Sequence, residues 1–132
     1  DRSGATTQKL RNGKEAFTEE LCERLGRVTV ECEDGLRVIT RYDREGAFHF
    51  VDPPYVGSDC GHYNGTFNDT DFERLLTILA EVKGRFMLTM FPHLQIEKFV
   101  AEYGWKIHRL DRTITASKTS RRKQEEWIVV NY

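Results

Sequence analysis

The stretch Ala-Phe-His-Phe-Val-Asp-Pro-Pro-Tyr occupies residues 47–55. Its first five residues carry no acidic or basic charge at neutral pH and have high β-propensity, so they predict a strand. Pro53 and Pro54 follow almost at once and lack the backbone N–H that a sheet ladder needs. The sequence therefore predicts an apolar strand over 47–51 that ends abruptly in an Asp-Pro-Pro-Tyr turn.

The segments on either side show alternating helix and strand patterns. Apolar residues at helical spacing predict helices, and short apolar or β-branched runs predict strands. A capping-box spacing from Thr70 to Glu73 marks one helix start, and Gly84 and Gly104 mark helix ends. The predicted helices cover 14–25, 34–42, 70–83 and 94–103, and the predicted strands cover 28–32, 47–51, 85–90, 105–116 and 126–131.

This order predicts the α/β fold class. Alternating strands and helices favour a largely parallel sheet with helices on its faces. The last two strands have only the basic loop 118–123 between them, so we expect an antiparallel hairpin there. Residues 1–13 are polar and aperiodic and are interpreted as a tail or linker, and residues 14–132 as one domain.

Composition excludes several classes of protein. The 132 residues include 20 Lys or Arg and 21 Asp or Glu, a net charge of −1, which excludes a globally basic nucleic-acid binder but leaves a local basic patch open. No apolar run is long enough to span a membrane. The polar N-terminus predicts no signal peptide, and three scattered cysteines predict no disulfide framework. We expect a cytoplasmic protein.

The turn at 52–55 carries the clearest chemistry. Open parallel sheets bind ligands at the carboxyl ends of their strands, where this turn lies. Asp52 is an acceptor when ionised, the carbonyls of Pro53 and Pro54 are acceptors, and Tyr55 offers a flat ring. Together these groups suit a planar heteroaromatic amine. The structural alternative is a Pro-Pro turn that ends a strand, with an aspartate cap.

Two further groups of residues are candidates for nucleic-acid contact. A basic run includes Lys118, Arg121, Arg122 and Lys123. Such a run is either a solvated loop or a phosphate-binding segment. Tyr63 and Asn64 follow the Asp-Pro-Pro-Tyr turn in a Gly-rich loop and could approach a nucleic acid. Cys60 and His62 are only two potential ligands, so no metal site is predicted.

Over about residues 20–132, the chain resembles the Dam-like DNA adenine-N6 methyltransferases. The matching segments are 23–34, 41–43, 50–56, 63–67 and 121–132. The tetrapeptide Asp-Pro-Pro-Tyr is the signature of that family. The resemblance implies a partial Rossmann-like methyltransferase sheet, S-adenosylmethionine as methyl donor and double-stranded DNA as substrate.

The resemblance also assigns roles to the signature, Asp52 to Tyr55. In the family, the Asp carboxylate and the first Pro carbonyl accept hydrogen bonds from the adenine amino group, and the Tyr stacks on a base flipped out of the duplex. By resemblance these roles fall on Asp52, Pro53 and Tyr55, with Pro54 completing the motif. The chemistry agrees, because a base amine cannot be reached inside a duplex.

A second implied site binds the donor. In the family, the region of Cys32, Glu33 and Asp34 borders the adenine of S-adenosylmethionine, and by resemblance Asp52 is also assigned to the donor site. The residue equivalent to Asp34 can accept from the amino group of that adenine. The structural alternative for Asp34 is a helix N-cap, and the two roles are compatible.

Two family features are missing from the sequence. The Gly-rich strand-to-helix turn that holds the methionine end of the donor does not occur, nor does the acidic residue that holds its ribose. We therefore expect the chain to correspond to the C-terminal half of a methyltransferase, with low activity alone. The first residue is Asp1 rather than Met, so we expect that an upstream region is missing. Strand 47–51 is apolar and would have an uncovered edge without the strands of the N-terminal half, so we expect an upstream half, a second chain or a rearranged N-terminal segment to cover it.

Two other functions stay open. One is methylation of another exocyclic amine, in RNA or on cytosine, although the Asp at the first signature position favours DNA adenine within the resemblance. The other is a non-catalytic module that binds nucleic acid or a partner subunit. The missing Gly-rich turn supports this second alternative.

Overall fold

A computed structural model of the chain describes residues 17–56, 67–114 and 122–132, with the backbone alone at 112–114 and 122–123. The chain divides into two units, Asp1–Cys32 and Glu33–Tyr132.

The described part of the first unit contains one helix, α1, over Glu19–Leu25. Thr18 caps it, its side chain accepting a hydrogen bond from the backbone N–H of Leu21 at 3.2 Å. Residues 28–32 were expected to form a strand, and this prediction is wrong, because they lie in irregular backbone and belong to no sheet. Val28 and Val30 are exposed. High β-propensity does not make a strand without a partner to complete the ladder.

The second unit holds the sheet. Its elements are α2 (Gly35–Tyr42), β1 (Phe48–Val51), α3 (Asp69–Glu81), β2 (Arg85–Met90), α4 (Leu94–Tyr103), β3 (Lys106–Ile114) and β4 (Arg122–Val130). The strand order is β1-β2-β4-β3. The α/β class is confirmed, and the predicted positions of these helices and strands agree with the structure to within a few residues.

The sheet is mixed, which corrects the expectation of a mostly parallel one. Within the described sheet, only β1 and β2 pair in parallel. The expected hairpin of β3 and β4 is present, but β4 lies between β2 and β3 and pairs antiparallel to both. The expectation failed because residues 28–32 do not join the sheet and because the hairpin inserts its second strand next to β2.

Strand β4 also starts earlier than expected. It begins at Arg122, so Arg122 and Lys123 lie opposite Ile114 and Thr113 in the ladder rather than in a connecting loop. Residues 118–121 of the basic run lie outside the described residues. The ladder includes these residues because β3 is long enough to provide each of them with a partner.

Helix α3 begins two residues before the expected capping box. The side chain of Asn68 accepts from the backbone N–H groups of Thr70 and Asp71, and the Asp71 carboxylate accepts from the Asn68 N–H. Asn is at least as good an N-cap as Thr, so the box at Asn68 prevails. Helix α4 ends as expected at Gly104, which has a left-handed φ of 71°.

The core lies on one face of the sheet. Its buried residues come from α3 and α4, from alternate positions of β2 and β4, and from Val51 and Trp105: Val51, Phe72, Leu75, Leu76, Leu79, Phe86, Leu88, Met90, Ile96, Trp105, Trp127 and Val129. Leu36 and Ile39 of α2 pack against this cluster. The three helices in the described part of this unit therefore contribute to the same core.

Strand β1 is apolar, as expected, but only one of its two faces is buried. In the described sheet it is an edge strand that pairs with β2 alone. Phe48 and Phe50 are 54% and 62% exposed, whereas Val51, on the other face, is buried. Strand β1 thus presents an apolar edge, the type of strand that invites association with a further chain segment.

Asp43 ties the sheet together at the end opposite the signature turn. Its carboxylate accepts from the backbone N–H groups of Lys83 at 2.8 Å and Gly84 at 3.0 Å, and from the His49 Nε2–H at 3.1 Å. The Lys83 N–H contributes most to lowering the Asp43 pKa, with the Gly84 N–H and His49 helping and burial opposing them. One side chain therefore joins the end of α2, strand β1 and the start of β2.

Gly84 and Asn131 complete this junction. A Cβ at Gly84 would lie 2.6 Å from the carbonyl oxygen of Ala47, so the close approach of the two chain segments requires glycine. The Asn131 side chain donates to the Gly84 carbonyl at 3.1 Å and accepts from the Phe86 N–H at 2.9 Å. It supplies backbone-like hydrogen bonds where β4 ends.

We predict that Asp43→Ala destabilises the fold by about 2–4 kcal/mol, because two backbone donors and a histidine lose a charged acceptor. Urea unfolding at neutral pH measures the effect. Because the folded-state pKa is lowered, this contribution is present above the unfolded-state pKa and is lost as the pH falls through the folded-state value. Glu45→Ala, an exposed neighbour, is the control and should change stability by less than about 0.5 kcal/mol. Equal effects of the two substitutions would contradict the role of Asp43.

We predict that Gly84→Ala costs about 1–3 kcal/mol, because the added methyl group forces β1 and β2 apart at their start. Gly35, in the first turn of α2, has no atom near the position of an added Cβ and serves as the control. Gly35→Ala should be neutral or slightly stabilising. A neutral Gly84→Ala in the same thermal-unfolding series would show that the approach to Ala47 is not tight.

Candidate active site

The ends of two strands and the middle of a third lie together at one end of the sheet. Because β1 and β2 run parallel, their carboxyl ends lie together, and the pairing of Val51 with Leu88 places Asp52 beside Thr89. Strand β4 runs the other way and pairs Trp127 with Met90, so its preceding residue, Glu126, arrives at the same edge. The site is therefore assembled from the end of β1, the end of β2 and the middle of β4.

The Asp52 carboxylate is oriented but open to solvent. The Thr89 hydroxyl donates to its Oδ1 at 2.5 Å, and Asp52 itself is exposed. A single hydrogen bond to one oxygen leaves the carboxylate with further acceptor capacity. It is therefore a positioned acceptor at the mouth of the site.

The Tyr55 side chain is held at its tip and along its ring. Its hydroxyl donates to the Glu126 carboxylate. Its ring lies edge-on to Phe91, with centroids 4.6 Å apart and planes at 89°, and is partly buried against the core. The tyrosine of the signature is thus fixed by two residues that follow other strands.

The surroundings of Tyr55 keep its hydroxyl protonated. Burial, followed by the hydrogen bond to Glu126 and the charges of Glu126 and Asp52, raises the pKa of Tyr55 to about 12, and a hydrogen bond with Thr89 acts in the opposite direction. At neutral pH the side chain is a donor. Its hydroxyl is committed to Glu126, so the ring is the part of Tyr55 that can meet a ligand.

Pro53 and Pro54 connect Asp52 to Tyr55. Both are half-buried and lie in irregular backbone directly after β1. Their fixed φ angles stiffen the turn, and they lack the N–H that would continue the ladder. The Pro-Pro turn therefore ends β1, as the structural interpretation of this motif expected. Ending the strand is compatible with a binding function of the same residues.

The residues expected at the donor site fall into both units. Cys32 is exposed in the first unit. In the second unit, Asp34 caps α2, with its Oδ1 accepting from the Leu36 N–H at 2.9 Å, so the N-cap role is present. Glu33 pairs with Arg41 at 2.6 Å and with Arg37 at 3.5 Å.

Glu33 and Asp34 line an open groove of about 480 Å³ between α2 and α3. Arginines 37, 41 and 74 form much of its polar wall. Asp52 and Tyr55 are not among the lining residues. The structure therefore does not bring Asp52 into the same cavity as Glu33 and Asp34.

Most of the remaining candidates lie outside the described residues. Tyr63, Asn64, Lys118 and Arg121 belong to segments beyond the described residues, as do Cys60 and His62. Arg122 and Lys123 are placed by their backbone at the start of β4. Among the described residues, no group of three potential metal ligands occurs. In the same part of the chain, no helix is long and apolar enough to cross a membrane.

Sequence reasoning missed three residues of the site, namely Thr89, Phe91 and Glu126. A usable signal existed for two of them. Thr89 is the one hydroxyl residue within the apolar run 86–90, and Glu126 is a charge directly before the apolar run 127–130. A polar side chain within or beside an apolar strand indicates either that its face of the sheet is exposed or that it has a buried hydrogen-bond partner. The partner can be identified only once the strand order is known.

His93 has a partner that the sequence did not reveal. Its Nε2–H donates to Asp69 at 3.0 Å, and its Nδ1 accepts from the Gln95 N–H at 3.3 Å. The ring caps α4 and ties it to the first turn of α3. This histidine–aspartate pair is structural, because both ring nitrogens are used within the fold.

Comparison with known proteins assigns the family. A search of the curated proteins gave no match. A protein-family model described as "D12 class N6 adenine-specific DNA methyltransferase" matches residues 3–115. The match covers most of the chain, including the signature turn with Asp52 and Tyr55, and agrees with the resemblance of the sequence to Dam-like enzymes. The chain therefore belongs to the D12 class N6 adenine-specific DNA methyltransferase family.

Proposed function

We propose that this chain provides the target-base side of a site-specific DNA methyltransferase, which transfers a methyl group from S-adenosylmethionine to N6 of adenine. The observation that carries the proposal is the pair of signature side chains at one sheet edge. Asp52 is an exposed carboxylate oriented by Thr89, and Tyr55 is a ring whose hydroxyl is bound to Glu126.

The proposed role of Asp52 and Pro53 is to accept hydrogen bonds from the adenine amino group. The nitrogen lone pair of that amine is delocalised into the ring, so the amine is a poor nucleophile. Acceptors placed out of the ring plane favour a pyramidal nitrogen with an available lone pair. As the new N–C bond forms, the bond between the methyl group and the donor sulfur breaks and S-adenosylhomocysteine leaves as a neutral thioether. Positive charge develops on nitrogen, where the Asp52 carboxylate is proposed to stabilise it, and the nitrogen then loses one proton to Asp52 or to water.

The proposed role of Tyr55 is to stack on the target base. The base must leave the duplex before its amine can react. Stacking on an aromatic side chain contributes about 1–3 kcal/mol per base, which offsets part of the cost of unstacking. The ring is suited to this because its hydroxyl is engaged elsewhere and its position is fixed before the base arrives.

The donor, S-adenosylmethionine, supplies an electrophilic methyl group on a sulfonium. Cys32, Glu33 and Asp34 are proposed to border its adenine. Asp34 fits this task because the cap to Leu36 uses one oxygen and leaves other acceptor positions on the carboxylate. Glu33 fits less well, since Arg41 and Arg37 already pair with it. Asp52 is proposed to adjoin the donor only at the reacting methyl group.

The proposed DNA contacts extend from the site along β4. Arg122 and Lys123 open the strand that carries Glu126, so they lie about 10–13 Å along the strand from the residue that holds Tyr55. With Lys118 and Arg121 they are proposed to bind phosphates. Tyr63 and Asn64 are proposed to approach the nucleic acid from the loop after the signature.

A non-catalytic nucleic-acid or subunit-binding module is the second candidate. The pairing of Glu33 with two arginines favours it, because a donor would have to fit beside these ion pairs. A methyl-transfer assay on duplex DNA, with and without a second chain that supplies an N-terminal methyltransferase half, separates the two. The enzyme proposal expects transfer with the second chain, and the module expects DNA binding without transfer in either case.

We predict that Asp52→Ala lowers methyl transfer by about 10²–10³-fold or more, equivalent to about 3–4 kcal/mol, because a contact to developing charge is lost. The fold should be unchanged, since Asp52 is exposed. The measurement is transfer of labelled methyl groups to duplex DNA in the complete enzyme, with the N-terminal half supplied, and circular dichroism is the folding check. Near-normal turnover in the folded variant would remove Asp52 from the reaction.

We predict that replacing Arg121, Arg122 and Lys123 together by Ala weakens DNA binding without changing sequence preference, because phosphate contacts carry no base identity. The slope of log K against log salt should become shallower by up to about three units.

The control for this triple replacement changes three exposed cations away from the site, Arg44, Lys83 and Lys98, to Ala. It should leave the salt slope nearly unchanged. An unaltered slope in the first variant would identify the basic run as a solvated segment.

A further inference from the structure

We propose that Glu126 is a positioning residue that fixes the Tyr55 ring for stacking through the hydroxyl of that tyrosine. The contact between the two residues is independent of any reaction. Its consequence for a flipped base rests on the proposed function.

The burial of Glu126 is the first argument. The residue is 5% exposed, although glutamate is rarely buried unless a partner compensates for its lost hydration. Its carboxylate accepts the hydrogen bond of a tyrosine 71 positions earlier in the chain. Burial of the Glu126 carboxylate lowers the stability of the fold, because the group loses its hydration. A functional role of the contact between β4 and the signature turn would explain why the protein retains this glutamate.

The place of Glu126 in the ladder is the second argument. It pairs with Leu110 of β3 and precedes Trp127, which pairs with Met90. Alternation along β4 puts Trp127 in the core and Glu126 on the other face, at the edge where β1 ends. The strand thus delivers one carboxylate to the signature turn from the face opposite the core.

Two contacts together define the orientation of the ring. The Tyr55 hydroxyl lies on the rotation axis of the ring, so the hydrogen bond to Glu126 fixes the direction of the side chain but not the tilt of its plane. The edge-on contact with Phe91 fixes that tilt. Loss of Glu126 would leave Tyr55 free to swing away from the turn while the proline backbone stays in place.

Proton transfer does not explain the pair. The pKa of Tyr55 is raised to about 12, so the phenol keeps its proton at working pH. Nothing in the chemistry of methyl transfer needs a phenolate, and the Glu126 carboxylate favours the neutral phenol by raising its pKa. The hydrogen bond to Glu126 is therefore interpreted as a contact that holds the ring in place.

The contact is tested by NMR on protein labelled with ¹³C at the tyrosine Cζ. The Tyr55 resonance is identified by its loss in Tyr55→Phe. We expect Glu126→Gln to shift this resonance at neutral pH and to move its titration to lower pH, toward the ordinary tyrosine value of about 10. The matched control is Glu125→Gln, the adjacent residue, which accepts from the Trp127 indole instead. It should leave the Tyr55 resonance in place.

The positioning role is tested by steady-state methyl transfer on duplex DNA, with the N-terminal half supplied as above. We expect Glu126→Ala to lower kcat by about 10–100-fold with a smaller change in KM. Glu126→Gln should recover part of the loss, because the amide oxygen can still accept from Tyr55. Tyr55→Phe combined with Glu126→Ala should lose little more than either change alone.

The outcomes distinguish this proposal from the proposed function. An unchanged Tyr55 resonance in Glu126→Gln would overturn the contact. A shifted resonance with unchanged kcat would overturn the positioning role while the enzyme assignment stands. A shifted resonance in a chain that shows no methyl transfer even with its second half would overturn the enzyme assignment, and with it the role of Glu126 in stacking a base.

Discussion

The parallel pairing of β1 with β2 is the interaction on which the site depends. It places the carboxyl ends of both strands at one edge, so that Asp52 lies beside Thr89. The pairing is secured at its other end, where Gly84 allows the backbones to approach and Asp43 joins α2, β1 and β2. A four-residue edge strand would be a weak platform without this junction. The geometry of the signature turn is thus set by contacts at the far end of the same strand pair.

The insertion of β4 between β2 and β3 is the second constraint. Because β4 runs antiparallel to β2, its polar first half reaches the edge where the parallel strands end. An all-parallel arrangement would have placed the start of this strand at the opposite edge of the sheet. The mixed topology therefore explains why Glu126 of β4 contacts Tyr55, which directly follows β1. It also explains why the Glu126 carboxylate is buried.

Much of the fold could be predicted because it depends on local patterns. The apolar stripe of α3, the stop at Gly104 and the two prolines after Val51 each act over a few residues. The strand order could not be predicted, because it depends on which distant strands pair. The same limit explains the errors at 28–32 and at Arg122, where propensity and charge indicated one state and the availability of a partner decided another. In the site, the signature itself was readable, whereas Thr89 and Glu126 gain their meaning only from pairing across the sheet.

The central claim is that Tyr55 and Glu126 form one unit that joins the signature turn to β4. A double-mutant cycle on the free energy of unfolding tests it most directly, with Tyr55→Phe, Glu126→Ala and the combined variant. The account predicts a coupling energy of about 0.5–1.5 kcal/mol, the range of a buried hydrogen bond between side chains. Additive effects of the two substitutions, with a coupling energy near zero, would contradict it.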